Sequence, residues 1–248
     1  MPGDSLCLAI ETSNPSADPM VPGEVALARC ADWTNPAAPI ELLAAERLSP
    51  RARHDDALAP AIDRLFTSSG LAPSDLARVA VSIGPGGYSA LRIAVAGARM
   101  IAETTGAGCV GVETAAVAAR ADGLPSRFAV LLASKRETVW ATVYERSVPS
   151  GEPKELAAGR LVDAAALSGL ADPMAFTAIV ADTFLPDSFR EAASRSGWAV
   201  LPLTLGAVPL LLASRGRAST PPEGLLPLYP REAEAVRKWR ELGRAARH

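Results

Sequence analysis

The stretch Val79-Ala80-Val81-Ser82-Ile83-Gly84-Pro85-Gly86-Gly87-Tyr88-Ser89-Ala90-Leu91-Arg92 decides the architecture. Its first five residues form a short, β-branched apolar run that reads as a buried strand. The Gly84–Gly87 cluster stops that strand, and a helical stretch follows from about Ser89 to Thr105, rich in Ala with Leu91, Val95 and Ile101. Strand, glycine turn and helix in succession is the unit of an α/β fold.

The alternation extends in both directions. Upstream, Leu6 to Ile10 and Val25 to Cys30 are strand runs, separated by an irregular loop, Asn14 to Gly23, that carries three prolines. Ile40 to Leu48 fits a third strand or a short helix. From Asp55, residues Ala57, Leu58, Ala61, Ile62, Leu65 and Phe66 recur at helical spacing, with Asp55 and Asp56 at the positive end of the dipole and Gly70 and Pro73 as the stop. Downstream, Cys109 to Val112 is a short strand and Thr114 to Arg120 an Ala-rich helix. Phe128 to Leu132 and Thr138 to Tyr144 pair around the turn Ser134-Lys135-Arg136-Glu137. Ile179 to Ala181 and Ala199 to Leu203 are later strands with a helix, Ser188 to Ser196, between them. Glu232 to Arg247 reads as a charged, solvated helical tail. The sequence shows no repeats and no low-complexity tract. Two lobes meeting near Gly108 are expected: residues 1–110, residues 111–222, and a tail of residues 223–248 packing back on the first lobe.

Composition excludes several functions. The 248 residues are 49% hydrophobic and 21% charged, with mean hydropathy +0.16, which excludes a disordered chain. Lys and Arg total 25 against 27 Asp and Glu, a net charge of −2, so bulk charge does not hold this protein to nucleic acid. Aromatics, at 5%, disfavour an extended base-stacking platform. Cys7, Cys30 and Cys109 are scattered without ligand spacing, which fits a reducing compartment. The N-terminal stretch lacks the basic and apolar regions of a signal peptide, and no run approaches the roughly 20 apolar residues of a membrane span. A cytoplasmic location is expected.

Two places suggest chemistry. The Gly84, Gly86, Gly87 turn brings backbone N–H groups to a helix N-terminus, where a phosphate would be welcome; a plain tight turn explains the same residues. Glu11-Thr12-Ser13, at the end of the first strand, offers a carboxylate and hydroxyls to a hydrated metal and phosphate, or simply turn hydrogen bonds. Arg92 suits a phosphate, a partner's carboxylate or solvent. His54 and His248 are the two histidines. A Ser–His–carboxylate hydrolase would have to use His54, which helix capping or a polar contact accounts for better, and a zinc site lacks ligands. Ser134–Glu137 reads as a solvated turn or as a contact with RNA or a partner. The two Ala-rich helices, Asp55–Thr67 and Ser89–Thr105, allow another helix to approach closely, within the domain or from a second molecule.

Taken in order, these residues resemble a known family. Leu8-Ala9-Ile10-Glu11-Thr12-Ser13 is similar to the opening strand and loop of the bacterial tRNA threonylcarbamoyladenosine biosynthesis protein TsaB (YeaZ) family. Arg53-His54 with Leu58, Pro60 and Ile62 resembles the start of its first-lobe helix, and Gly84 to Ile93 resembles its GPGSFTGLRIG segment. Lys135-Arg136-Glu137-Thr138-Val139-Trp140 and Leu228-Tyr229-Pro230-Arg231 are similar to its hairpin and its C-terminal motif. Gly87, Tyr88, Ser89 and Ala90 depart from the usual Ser, Phe, Thr and Gly, and Ala133-Ser134 from the usual Asp-Ala.

The resemblance implies a two-lobed actin-like, sugar-kinase-type (ribonuclease H-like) fold. It also implies a non-catalytic subunit of the complex that modifies the adenosine beside the anticodon of tRNA. The implied partner is a catalytic TsaD-like paralogue, which binds metal through two histidines four apart on a helix; a TsaE-like ATPase is a further partner. A homodimer is implied for the isolated chain, with tRNA met only through the complex. The implied interface is the first-lobe helices: Leu58, Ile62, Leu65, Tyr88, Leu91, Arg92, Val95 and Arg99. No catalytic residue and no resident metal or cofactor is implied. A nucleotide at the lobe interface, held by Glu11, Thr12, Gly84, Gly86 and Gly87, is the alternative. The competing function is an active small-molecule kinase or ATPase of the same superfamily; a glycopeptidase, as some relatives are labelled, lacks metal ligands.

Overall fold

The computed structural model describes residues 5–15, 17, 20–49, 54–148, 151–231 and 239, with the backbone alone at 54–56 and 171–174. The expected tail, 232–247, thus lies outside the described residues apart from Trp239.

Five strands form the first sheet: β1 (Ser5–Glu11), β2 (Glu24–Cys30), β3 (Glu41–Arg47), β4 (Leu76–Gly84) and β5 (Gly108–Glu113), in the order β3-β2-β1-β4-β5. β1 lies antiparallel to β2, with Leu8 opposite Leu27, and parallel to β4, with Leu8 opposite Val79. As a central strand it is covered on both faces, which is why its sequence runs apolar without alternation. Leu6, Leu8 and Ile10 enter the core under α1 (His54–Ser69) and α2 (Tyr88–Thr105). Cys7 and Ala9 face the opposite core with Leu210 and Leu211. The ambiguous segment Ile40–Leu48 is the edge strand β3, half-exposed and therefore without a clear period.

The second sheet holds β6 (Arg127–Ser134), β7 (Thr138–Glu145), β8 (Lys154–Val162), β9 (Ala178–Ala181) and β10 (Ala199–Pro202), in the order β10-β9-β6-β7-β8. Its helices are α4 (Ala164–Met174) and α5 (Asp187–Ser196). A short α3 (Thr114–Ala118) carries the chain between the sheets. Each lobe is an antiparallel three-strand meander followed by two parallel strands reached through helices. The architecture is therefore duplicated, although the sequence shows no repeat.

Three elements escape the sequence reading: β8, α4 and α6 (Ala207–Ser214). The lobe boundaries also differ from those expected. Position 110 falls inside β5, and the chain returns to the first lobe well before 223. α6 packs on the first sheet, and Cys109 and Thr220 exchange backbone hydrogen bonds of 2.9 and 2.8 Å. Leu225 then enters the first core, and the Leu228 N–H donates to Ile83 O at 2.7 Å. Arg78 fastens this return. Buried on β4, it donates to the carbonyls of Ser214 and Arg217, each at 2.8 Å, and lies over the Trp33 ring.

Candidate functional site: the interlobe cleft and the outer face of α2

A cleft of about 440 Å³ opens where the loop after β1 faces the β10–α6 connection. Glu11, Thr12, Asn14 and Glu24 line it from the first lobe, and Pro202 to Gly206 from the other wall. Ligands of open α/β sheets bind beyond the carboxyl ends of the strands, and β1 ends at Glu11. Glu11 is buried. Its Oε1 accepts from Ser13 N–H at 2.8 Å and Ser13 Oγ at 2.6 Å, and its Oε2 accepts from the Ser82 hydroxyl. Desolvation raises its pKa above the usual carboxyl value, although these three donors pull the other way. Glu24 accepts the Ala207 N–H at 2.8 Å, so it occupies the N-terminus of α6. Arg47, exposed at the rim, stands 3.7 Å from Glu24. Across the cleft mouth Asn14 Nδ2 donates to Asp182 Oδ2 at 2.8 Å.

The glycines of the β4–α2 turn do not line this space. Gly86 sits so close to β1's loop that a Cβ would lie 2.0 Å from Ser13 O, and Gly87 N–H donates to that same oxygen at 2.7 Å. Gly84, at φ +106°, turns the chain where a side chain would meet Leu91. Glu11 and Thr12 thus belong to the cleft, whereas Gly84, Gly86 and Gly87 seat the turn against Ser13. The two halves of the expected phosphate cradle are not assembled into one wall.

The expected interface residues also separate. Leu58, Leu65, Leu91 and Val95 are buried in the first-lobe core, because the apolar helical stripe faces the sheet. They are not available to a partner, which corrects that part of the expectation. Ile62 and Arg99 are half-buried, and Tyr88 and Arg92 are exposed. The outward stripe of α2 also carries Met100, 65% exposed, about two turns beyond Arg92. At the start of α2 the Tyr88 and Tyr229 rings lie 5.2 Å apart, with the Arg92 guanidinium 5.4 Å from the Tyr88 ring.

His54 is the first residue of α1. Lys135 to Glu137 form the β6–β7 turn directly after Ser134, the last residue of β6, with Arg136 and Glu137 at φ 62° and 51° and both exposed. Among the described residues no group of three His, Cys, Asp or Glu is placed to hold a metal ion, and no helix is long and apolar enough to cross a membrane. Asp182 and Tyr229 were missed as site residues. Asp182 carries a readable signal, a carboxylate immediately after the apolar run of β9, in the position Glu11 holds after β1's run. Tyr229 lies in the motif Leu228–Arg231 that carries the family resemblance, but its pairing with Tyr88, far away in sequence, leaves no local signal.

The family model described as TsaD, tRNA N6-adenosine threonylcarbamoyltransferase, matches residues 44–176, a little over half of the chain. The chain belongs to the TsaD family. The TsaD-family match runs from β3 through α4, across both lobes. No curated protein matches the sequence. Two solved structures share the fold of this TsaD-family chain. One, an uncharacterized protein with similarity to peptidase YeaZ from Pseudomonas aeruginosa, has 20% identity and a TM-score of 0.68, covering 92% of this chain and 100% of that one. The other, YeaZ from Pseudomonas aeruginosa, has 20% identity and a TM-score of 0.67, covering 91% and 99%. The two-lobed actin-like expectation is met, and the role is one related to tRNA modification.

Proposed function

We propose that this chain is a non-catalytic, partner-binding subunit of a complex that threonylcarbamoylates the adenosine beside the anticodon of tRNA. The observation that carries the reading is the outer face of α2. Tyr88, Arg92 and Met100 lie exposed on one stripe, above a helix whose opposite face is fully committed to the first core. An aromatic, an arginine and a methionine are the residue types enriched where protein interfaces are buried.

The occupant of this face is a catalytic TsaD-like paralogue, or a second copy when the chain is alone, with a TsaE-like ATPase joining the assembly. The histidine content supports the division of labour. Two histidines, at 54 and 248, cannot form the pair four apart that holds the paralogue's metal. The cytoplasm is the matching compartment. A kinase or ATPase reading draws no support from the cleft, where Glu11 is taken up by Ser13 and Ser82 and Glu24 by the N-terminus of α6.

The test is co-elution of the chain with its cognate TsaD paralogue at micromolar concentration in size exclusion with light scattering. A stable complex that Arg92→Glu breaks supports the proposal. Two separate peaks for the wild-type proteins reject it.

A further inference from the structure

One surface borders the partner face at Tyr88 and Arg92 and runs on beyond it. The segment after α6 runs as a strap from the first lobe to the second. Leu228 N–H donates to Ile83 O of β4, the Tyr229 ring lies against Tyr88 in a tilted pair, and Arg231 reaches the β6–β7 turn. There its guanidinium donates to Lys135 O at 2.9 Å, Thr138 Oγ1 at 2.7 Å and Ser134 Oγ at 3.3 Å. The strap therefore joins Arg92, Tyr88, Tyr229, Arg231, Lys135 and Arg136 into one continuous stripe. Two of the chain's three tyrosines and four cations lie on it, with Glu137 as the acid of the same turn. Lys135 and Arg136 are displayed at a tip that Arg136 and Glu137 close in the left-handed region without a glycine.

Charge along the sequence points the same way. From Arg231 to His248 there are six Lys and Arg against three Glu, a net charge of +3 in a chain of net charge −2. Only Arg231 of this stretch stands at the aromatic pair and the hairpin tip; Glu232 and Glu234 follow it, and the positive excess is carried from Arg237 onward. Cations set beside exposed aromatic rings suit a polyanion with stackable bases, because the cations neutralise phosphates while the rings take bases.

We infer that this stripe contacts the RNA substrate directly, beside the partner face, with Lys135 and Arg136 on phosphates and Tyr229 against a base. The inference rests on the reading that the complex acts on tRNA. Tyr88 and Arg92 form the border between the two surfaces, which places the RNA along the seam between this chain and its partner.

The experiment is fluorescence anisotropy of an unmodified, labelled tRNA transcript titrated with the assembled complex at 50–300 mM salt, alongside size exclusion of each complex. Two variants are compared with the wild type: Lys135→Ser/Arg136→Asn, in which Asn suits the left-handed position, and Tyr229→Ala. The double variant should bind about tenfold more weakly near 100 mM salt, with the slope of log K against log salt shallower by about 2. Tyr229→Ala should weaken binding about tenfold with the slope unchanged. Wild-type affinity and slope in both variants would overturn the inference. Intact RNA binding with impaired assembly would make the stripe a protein-docking surface and overturn it equally. If the wild-type proteins form no complex, the partner reading alone fails, and the same salt series on the isolated chain decides the RNA contact.

Discussion

Asn14 and Asp182 meet across the cleft, the amide of the first donating at 2.8 Å to the carboxylate of the second. The contact ties the loop after β1 to the loop after β9, and Asp182 is held in turn by the Phe184 N–H at 3.0 Å. Asn14→Asp places two carboxylates face to face and should destabilise the fold by about 1–3 kcal/mol in denaturant unfolding. Hydrogen exchange should accelerate in residues 12–23. The exchanged pair Asn14→Asp/Asp182→Asn should recover most of the loss, because the amide then lies on the second-lobe side and donates back across the cleft; no recovery would rule out the pairing as the cause.

The buried Glu11 carboxyl gives a pH dependence of defined sign. Its folded pKa lies above the ordinary 4.5 because burial disfavours the charge. The folded state thus holds the proton more tightly than the unfolded state. The contribution to stability is complete below the unfolded pKa and is lost as pH rises through the folded one. Glu11→Gln, which keeps an acceptor for Ser13 and removes the charge, should be relatively more stable at pH 8 than at pH 5 when compared with wild type. Chemical denaturation at the two pH values is the measurement, and a gap that widens toward acid would contradict the assignment.

Gly86 and Gly87 separate packing from ligand binding. Alanine at 86 drives a Cβ into Ser13 O, backbone against backbone, and should cost about 3 kcal/mol or abolish soluble expression. Alanine at 87, with φ −65° and Pro15 Cδ 3.4 Å away, should change the melting temperature by only a few degrees. Equal effects at the two positions would contradict the close approach at Ser13.

On α2, Met100→Asp should weaken partner association by tenfold or more while leaving the circular dichroism melt within a few degrees of wild type, since Met100 is solvent-facing. Leu91→Ala, at a buried position, should do the reverse: lower stability by about 2–4 kcal/mol with association preserved in the folded fraction. Calorimetric titration and thermal unfolding on the same samples distinguish them.

The strands that cross the middle of each sheet were legible because burial on both faces leaves an unbroken apolar run. Leu6 to Ile10 and Ile179 to Ala181 show it, and Val79 to Ile83 shows it but for the buried Ser82. The edge strand β8 was not, since half its residues face solvent and its sequence, KELAAGRLV, keeps neither period. The eight-residue α6, AVPLLLAS, is an apolar run too short to distinguish from a buried strand, and Pro209 obscures it further.

At the site, Glu11 could be read as a carboxylate closing a strand. The α1 and α2 interface was partly misread for a physical reason. In a sheet-backed helix the apolar periodic face is the core, so Leu58, Leu65, Leu91 and Val95, among the interface residues the resemblance implies, lie on the wrong side of their helices. The Tyr88–Tyr229 ring pair and the Asn14–Asp182 bridge join residues more than a hundred positions apart, and a single sequence carries no local trace of such pairs.

The return of α6 to the first sheet constrains the order in which the protein can be finished on the ribosome. β5 ends at Glu113, yet Leu210 and Leu211, which cover the second face of β1, and Thr220, which pairs with β5, are made roughly 100 residues later. At translation rates of about 5–20 residues per second, the nascent first lobe waits about 5–20 s with one apolar face uncovered. Its last helix arrives only after the whole second lobe has emerged. Release of the C-terminal third is therefore the step that closes the N-terminal half, and a stalled or truncated chain would present that open face to chaperones and proteases.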